Sequence, residues 1–173
     1  MNFFSFLFHN FVRKKFISLF FFFLIVGCYS FKGGSLPKHI NTISFTPVID
    51  NSNYGNPNYR DMLFSELVNK FRKDNSLKVV EYGGDSKLSL IINSIRDETA
   101  FVKPGEVEKE RKITMEVSVE FFDAVKNKSF WKRNFSNFAI YSVAGIPATR
   151  DRAIAEVIDK LTDDILLATV SGW

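Results

Sequence analysis

The spacing of apolar positions alternates between two periods along this chain, and each change of period marks an element. Ile43, Phe45 and Val48 stand among Thr and Ser between Ile40 and Val48, which predicts a strand ending near Thr46 before Pro47. A long polar loop follows, from Asp50 to Pro57, and Asn58 is the candidate N-cap of a helix running to about Lys73. Within it Leu63, Leu67 and Phe71, with Phe64 and Val68, recur at three and four residues and form one apolar stripe. Leu77 to Tyr82 reads as a short strand stopped by Gly83 and Gly84, and Leu88 to Ile95 as a more central one. After the turn at Lys103-Pro104-Gly105, Ile113, Met115, Val117, Val119 and Phe121 alternate strictly with Thr114, Glu116, Ser118, Glu120 and Phe122. That alternation buries one face and leaves the other largely wet. Asp123 to Ser129 then reads as a hairpin loop and Phe130 to Phe138 as the returning strand. A last helix, starting at Thr149 or Asp151, carries Ile154, Val157, Ile158, Leu161, Ile165 and Leu166 at helical spacing.

The element order β-α-β-β-β-β-α predicts an α+β two-layer sandwich. Two helices pack on one face of a mostly antiparallel or mixed sheet of four to five strands, and the other face is free for water or a partner.

The N-terminal segment follows a different rule. Arg13, Lys14 and Lys15 precede the apolar run Phe16 to Val26, and Gly27 and Cys28 close it. Positive charge, apolar run and small residue in that order make a secretory signal. The run's 11 residues fall short of the roughly 20 needed to span a bilayer. The earlier run Phe3 to Phe8 keeps a membrane anchor open as an alternative, although His9, Asn10 and the basic triplet interrupt it. Cys28 is the single cysteine, so an internal disulfide is impossible. The expected organisation is a signal over 1–27, a lipidated Gly- and Ser-containing tether over 28–38, and one domain over 39–173.

Charge changes the picture once the signal is set aside. The formal net charge of +4 includes Arg13, Lys14 and Lys15, while all 19 Asp and Glu lie after Cys28. The remaining chain of about 145 residues is near neutral and sized for one domain. It lacks the strong basic footprint of a nucleic-acid binder.

Catalytic parts are scarce. After Cys28 the chain holds one histidine, His39, so Cys/His metal sites and Ser-His-Asp or Cys-His nucleophile systems cannot be assembled, and no cofactor is expected. Asp163 and Asp164 are adjacent on a helix and point apart, which reads as a solvated face. Glu106, Glu108 and Glu110 beside Lys109, Arg111 and Lys112 read as a mixed-charge loop and a second candidate surface. Gly83-Gly84 lacks the spacing of a phosphate loop. The expectation is therefore a binding protein, not an enzyme. Lys126, Lys128, Lys132 and Arg133, near Phe130 and Trp131, are candidate lipid or lipopolysaccharide contacts: cations for phosphates beside rings for acyl chains. The competing reading is a charged hairpin end that only blunts a sheet edge.

Ile25-Val26-Gly27-Cys28 resembles the bacterial lipobox, whose cysteine is acylated to become the mature N-terminus. Together with the stretch Gly33 to Ile43, Leu161-Thr162-Asp163-Asp164-Ile165 and the final Ser171-Gly172-Trp173, it makes the chain similar to the lipopolysaccharide-assembly lipoprotein family LptE, in its Bacteroidetes and Chlorobi form. The resemblance implies a lipid-anchored, periplasm-facing protein of the outer membrane, partnered with an LptD-like β-barrel that it plugs and with lipopolysaccharide. Tyr29, in place of the aspartate linked to inner-membrane retention in enteric bacteria, agrees with that location. Where family members carry a small residue or Gly in the third strand, this chain has Asn93 or Ser94. The alternative is an adaptor or pilotin lipoprotein of another envelope assembly or secretion system; a periplasmic hydrolase with paired carboxylates is the remaining rival.

Overall fold

The computed structural model describes residues 36–100 and 109–171. Cys28, the signal, most of the tether, Glu106 and Glu108 lie outside the described residues. The elements are β1 (Thr42–Phe45), β2 (Ile49–Asp50), α1 (Pro57–Asp74), β3 (Lys78–Val79), β4 (Ser86–Thr99), β5 (Glu110–Asp123), β6 (Lys128–Ser142) and α2 (Ala148–Val170). Strand order is β3-β1-β4-β5-β6, with β2 also on β4. β1 pairs in parallel with β3 and β4, whereas β4, β5 and β6 form an antiparallel meander. The expected two-layer α+β arrangement is the one found, and the short β2 is the addition. β2 continues the line of β1 along β4 after Pro47, which cannot donate to a ladder.

Both helices cover one face. α1 lies over β2 and β3, α2 over β5 and β6, and the two helices touch each other. Tyr59, Leu63, Leu67 and Phe71 bury the stripe of α1, while Phe64 and Val68 stay half-buried at its margin. Leu63, Leu67 and Phe71 each contribute about 1.5–3 kcal/mol of burial. The cap of α1 is Asn56, not Asn58: Pro57 at the first helical position has no amide to satisfy, and the Asn56 side chain accepts from the Asn58 amide at 3.1 Å. Asn75, at φ 60°, closes the other end by donating its amide to Phe71 O.

The sheet is longer than the alternation alone predicts. β4 runs from Ser86 to Thr99 because an extra residue, Asn93, shifts the register between Ile92 and Ser94. Leu88, Leu90 and Ile92 face the helices before it, and Ile95 and Asp97 after it. The departure at Asn93 is thus a bulge. Its side chain donates to Ser118 Oγ at 2.7 Å, and Ser118 Oγ in turn donates to Asn134 Oδ1 at 2.8 Å. That polar row crosses the open face of the meander. β6 begins at Lys128, with Phe130 as the extra residue opposite Phe121 and Phe122.

Gly83-Gly84 serves the topology. The chain leaves β3 and must cross β1 to reach β4, and a Cβ on Gly84 would come within 2.8 Å of Ser44 N. Only glycine passes there.

Candidate functional site

One end of the sheet gathers the tether junction and the β5–β6 turn. Asp123 continues the buried alternation of β5 and is fully buried. Its carboxylate accepts from His39 Nε2 at 2.7 Å and from the Lys126 amide at 2.8 Å. Burial pushes the Asp123 carboxyl up, but the amides of Lys126 and Val125 and the His39 ring outweigh it and hold it below the usual carboxylate range. Asp85 performs the matching task on the neighbouring connection. It accepts from the Asn41 and Thr42 amides, each at 3.0 Å, and these bonds lower its pKa, with the charge of His39 adding. The segment at 39–42 is therefore stitched to the start of β4 and the end of β5.

Most of the charge left exposed at this end is cationic. Lys126 and Lys128 lie on the turn, with Val125 59% exposed beside them. Lys38, Lys78 and Lys87 are exposed on adjoining segments, and Lys87 lies over the Phe122 ring at 5.5 Å. The other two sequence-predicted cations separate. Register places Lys132 on the open face opposite Glu120, and Arg133 on the helix-covered side opposite Val119. Arg133 lies 5.3 Å from the Trp131 ring centroid. Phe130 and Trp131 are half-buried, and join Phe121 and Phe135 in a chain of ring contacts with centroids 4.9–6.1 Å apart. The sheet thus brings Lys126 and Lys128 together and divides Lys132 from Arg133.

The described part of the second predicted surface, from Lys109 to Lys112, splits between two roles. Arg111 is no loop residue: it starts the buried register of β5 and donates to Asp97 Oδ1 at 2.8 Å and Asp97 O at 2.8 Å. Tyr141 and Tyr54 donate to Asp97 Oδ2 at 2.6 and 3.3 Å. Burial raises the Asp97 carboxyl, but Tyr141, Arg111 and Tyr54 bring it below its ordinary value. Burial, then the Asp97 bond, pushes Tyr141 up to about 12. Lys112 faces the other way, over Phe138 at 5.9 Å.

The helical acids are also occupied. Lys70 binds Asp159 at 2.7 Å and Asp163 at 2.5 Å, tying α1 to α2, while Asn137 donates to Asp164 at 2.6 Å. The pair Asp163 and Asp164 points apart as expected, but each acid holds a partner. Along the outer edge of α1, Phe45, Phe64, Val68, Val79 and Tyr82 line a groove of about 480 Å³. Among the described residues no group of three or more His, Cys, Asp or Glu stands close enough to hold a metal. Among them, too, no helix is long and apolar enough to cross a membrane.

Solved structures share this fold at low identity. A Xanthomonas campestris protein aligns with TM-score 0.64 and 13% identity, covering 79% of this chain and 89% of its own. A minor lipoprotein from Acinetobacter baumannii gives 0.52 and 14%, covering 76% and 94%. The rare lipoprotein B from Shewanella oneidensis gives 0.50 and 16%, covering 75% and 95%. No curated protein matches by sequence. The model of the family LptE, described as lipopolysaccharide-assembly, matches residues 40–169, which runs from before β1 to the last turn of α2. The chain belongs to the LptE lipopolysaccharide-assembly family.

Proposed function

We propose that this protein is a lipid-anchored outer-membrane lipoprotein that faces the periplasm and serves lipopolysaccharide transport. It plugs an LptD-like β-barrel and assists delivery of lipopolysaccharide to the cell surface. The observation that carries this reading is the family match over residues 40–169, joined to a signal ending in Gly27-Cys28. Cleavage leaves Cys28 as the acylated N-terminus, 28–38 as the tether and 39–173 as the domain.

The role is one of surfaces. Asp85, Asp97 and Asp123 are committed to amides, hydroxyls, a guanidinium and an imidazole, which suits scaffolding better than proton transfer. Lys126, Lys128, Lys132 and Arg133 are the proposed lipopolysaccharide contacts. Lys126, Lys128 and Lys132 offer charge from the turn and open face, and Arg133 from the helix side.

Extraction in detergent and identification of co-purifying membrane proteins tests the partnership. An LptD-like barrel is expected; recovery of a secretin in its place overturns the reading. Neutralising all four cations is expected to weaken capture of lipopolysaccharide, and undiminished capture removes them as contacts.

A further inference from the structure

β1 is four residues long and β3 only two, and the sheet is left incomplete where they differ. β3 lies beside Thr42 and Ile43 and stops there. Val80, just past it, donates to Ile43 O, while Thr46 donates to Leu88 O on the β4 side. Strand alternation turns the amide and carbonyl of Phe45 the same way as those of Ile43, towards the line of β3. With β3 already ended, both groups of Phe45 lack a partner among the described residues. The vacant place is a groove of about 480 Å³, walled by Phe45, Pro47 and Val79 and roofed by Phe64 and Val68 of α1. A second hollow, sharing Pro47 and Phe64, prolongs it to Arg60. Arg60, Phe64, Val68 and Arg72 recur every four residues along one flank of α1, which sets an arginine at each end, about 18 Å apart. Arg60 is paired with Asp61. Arg72 and, on the segment after β3, Glu81 line the groove without a hydrogen bond or ion pair among the described residues. Tyr82 beside them is 89% exposed.

We propose that this groove docks an extended polypeptide segment of a partner protein, which adds a strand beside the second half of β1 on the line of β3. The lining selects that occupant. The free amide and carbonyl of Phe45 are answered by another main chain, as in strand addition at a sheet edge. An acyl chain would cover Phe64 and Val68 but leave those two groups, Arg72 and Glu81 unanswered. A segment of about five residues spans the groove at 3.3 Å per residue. Apolar side chains at its alternate positions fit under Phe64 and Val68, and charge complementarity asks for a carboxylate at Arg72 and a cation at Glu81. A closed barrel has no strand edge to lend, so the segment is a loop or a terminus. The inference goes beyond the transport reading: it uses neither the cations of the β5–β6 turn nor the lipid anchor.

Random nonapeptides displayed on phage, selected against the full-length protein in nanodiscs, supply the probe. The selected sequences are expected to alternate apolar and polar residues and to carry an acid. Resynthesised with a fluorophore, they are titrated by anisotropy. Arg72→Glu, at an exposed position that leaves folding intact, should weaken binding about tenfold or more, and a peptide with its acid changed to lysine should recover it on that variant. Bound peptide should slow hydrogen exchange at the Phe45 amide about tenfold or more while the Val125 amide on the β5–β6 turn is unmoved. Three results each overturn the proposal. They are a selection without peptides that depend on Arg72, exchange at Phe45 that bound peptide does not slow, and displacement of the peptide by monomeric dodecyl phosphate, which would make the groove an acyl-chain site. Such a failure leaves the transport reading standing, and recovery of a secretin in place of the barrel leaves this one standing.

Discussion

The two ends of the sheet solve one problem in opposite ways. Each has a carboxylate near the limit of a strand, the buried Asp123 at one end and the half-buried Asp97 at the other. Asp97 is satisfied by side chains from the loop before α1, from β5 and from β6, and Arg111, its cation, is turned inward to it. Asp123 is satisfied by amides of its own turn and by His39, 84 residues away, so the lysines nearby owe it nothing. One end spends its charge on itself, and the other leaves it available. Two acids at opposite ends can therefore mark an end whose cation is paired within the fold and an end whose lysines stay exposed.

Breaking the far end should cost most. Asp97→Ala leaves the buried Tyr141 hydroxyl without its acceptor and takes one acceptor each from Tyr54 and Arg111, and a loss of about 3 kcal/mol is expected in urea unfolding, since an orphaned buried group costs about 1–3 kcal/mol and each further lost bond about 0.5–1.5 kcal/mol. His39→Ala should cost less, about 1 kcal/mol, because the Val125 and Lys126 amides still hold Asp123. Equal losses would erase the distinction between the ends.

pH sharpens the same contrast. Asp97 and Asp123 both have lowered pKa values, so each contributes stability that is present above the unfolded value of about 3.9 and lost as pH falls through the folded one. Acid unfolding below about pH 4 should flatten in either Asp97→Asn or Asp123→Asn. The far end also carries an alkaline term. Tyr141, raised to about 12 from an ordinary 10, contributes stability present below pH 10 and lost as pH climbs toward 12. Tyr141→Phe should remove that part of the alkaline decline, followed by circular dichroism from pH 9 to 12. The smallest effect belongs to the exposed pair Lys160–Glu156, where Glu156→Gln should shift stability by no more than about 0.5 kcal/mol.

Much of this was legible in the sequence, and the reasons for the rest are physical. Period two over Ile113 to Phe121 defines β5 and its buried face, and period 3.6 defines both helices. Asn93 hid the phase of β4, because a bulge breaks the alternation that identifies a strand. Asn58 is as good a capping residue type as Asn56, and the proline that separates them serves equally as a loop residue or as the first residue of a helix. The carboxylate clusters join residues 14, 44 and 84 apart and have no local signature. One signal was available: Asp123 and Arg111 fall in phase with Ile113 to Phe121, and a charged residue at a core position needs a buried partner. The separation of Lys132 from Arg133 follows from the same alternation.

The claim beneath all of this is that the protein delivers lipopolysaccharide to the surface. Depleting it from its host while measuring lipopolysaccharide exposed on intact cells tests that directly. Surface lipopolysaccharide is expected to fall as the protein disappears and to return with the intact gene but not with a Cys28→Ser version. Unchanged surface lipopolysaccharide after full depletion would contradict the account.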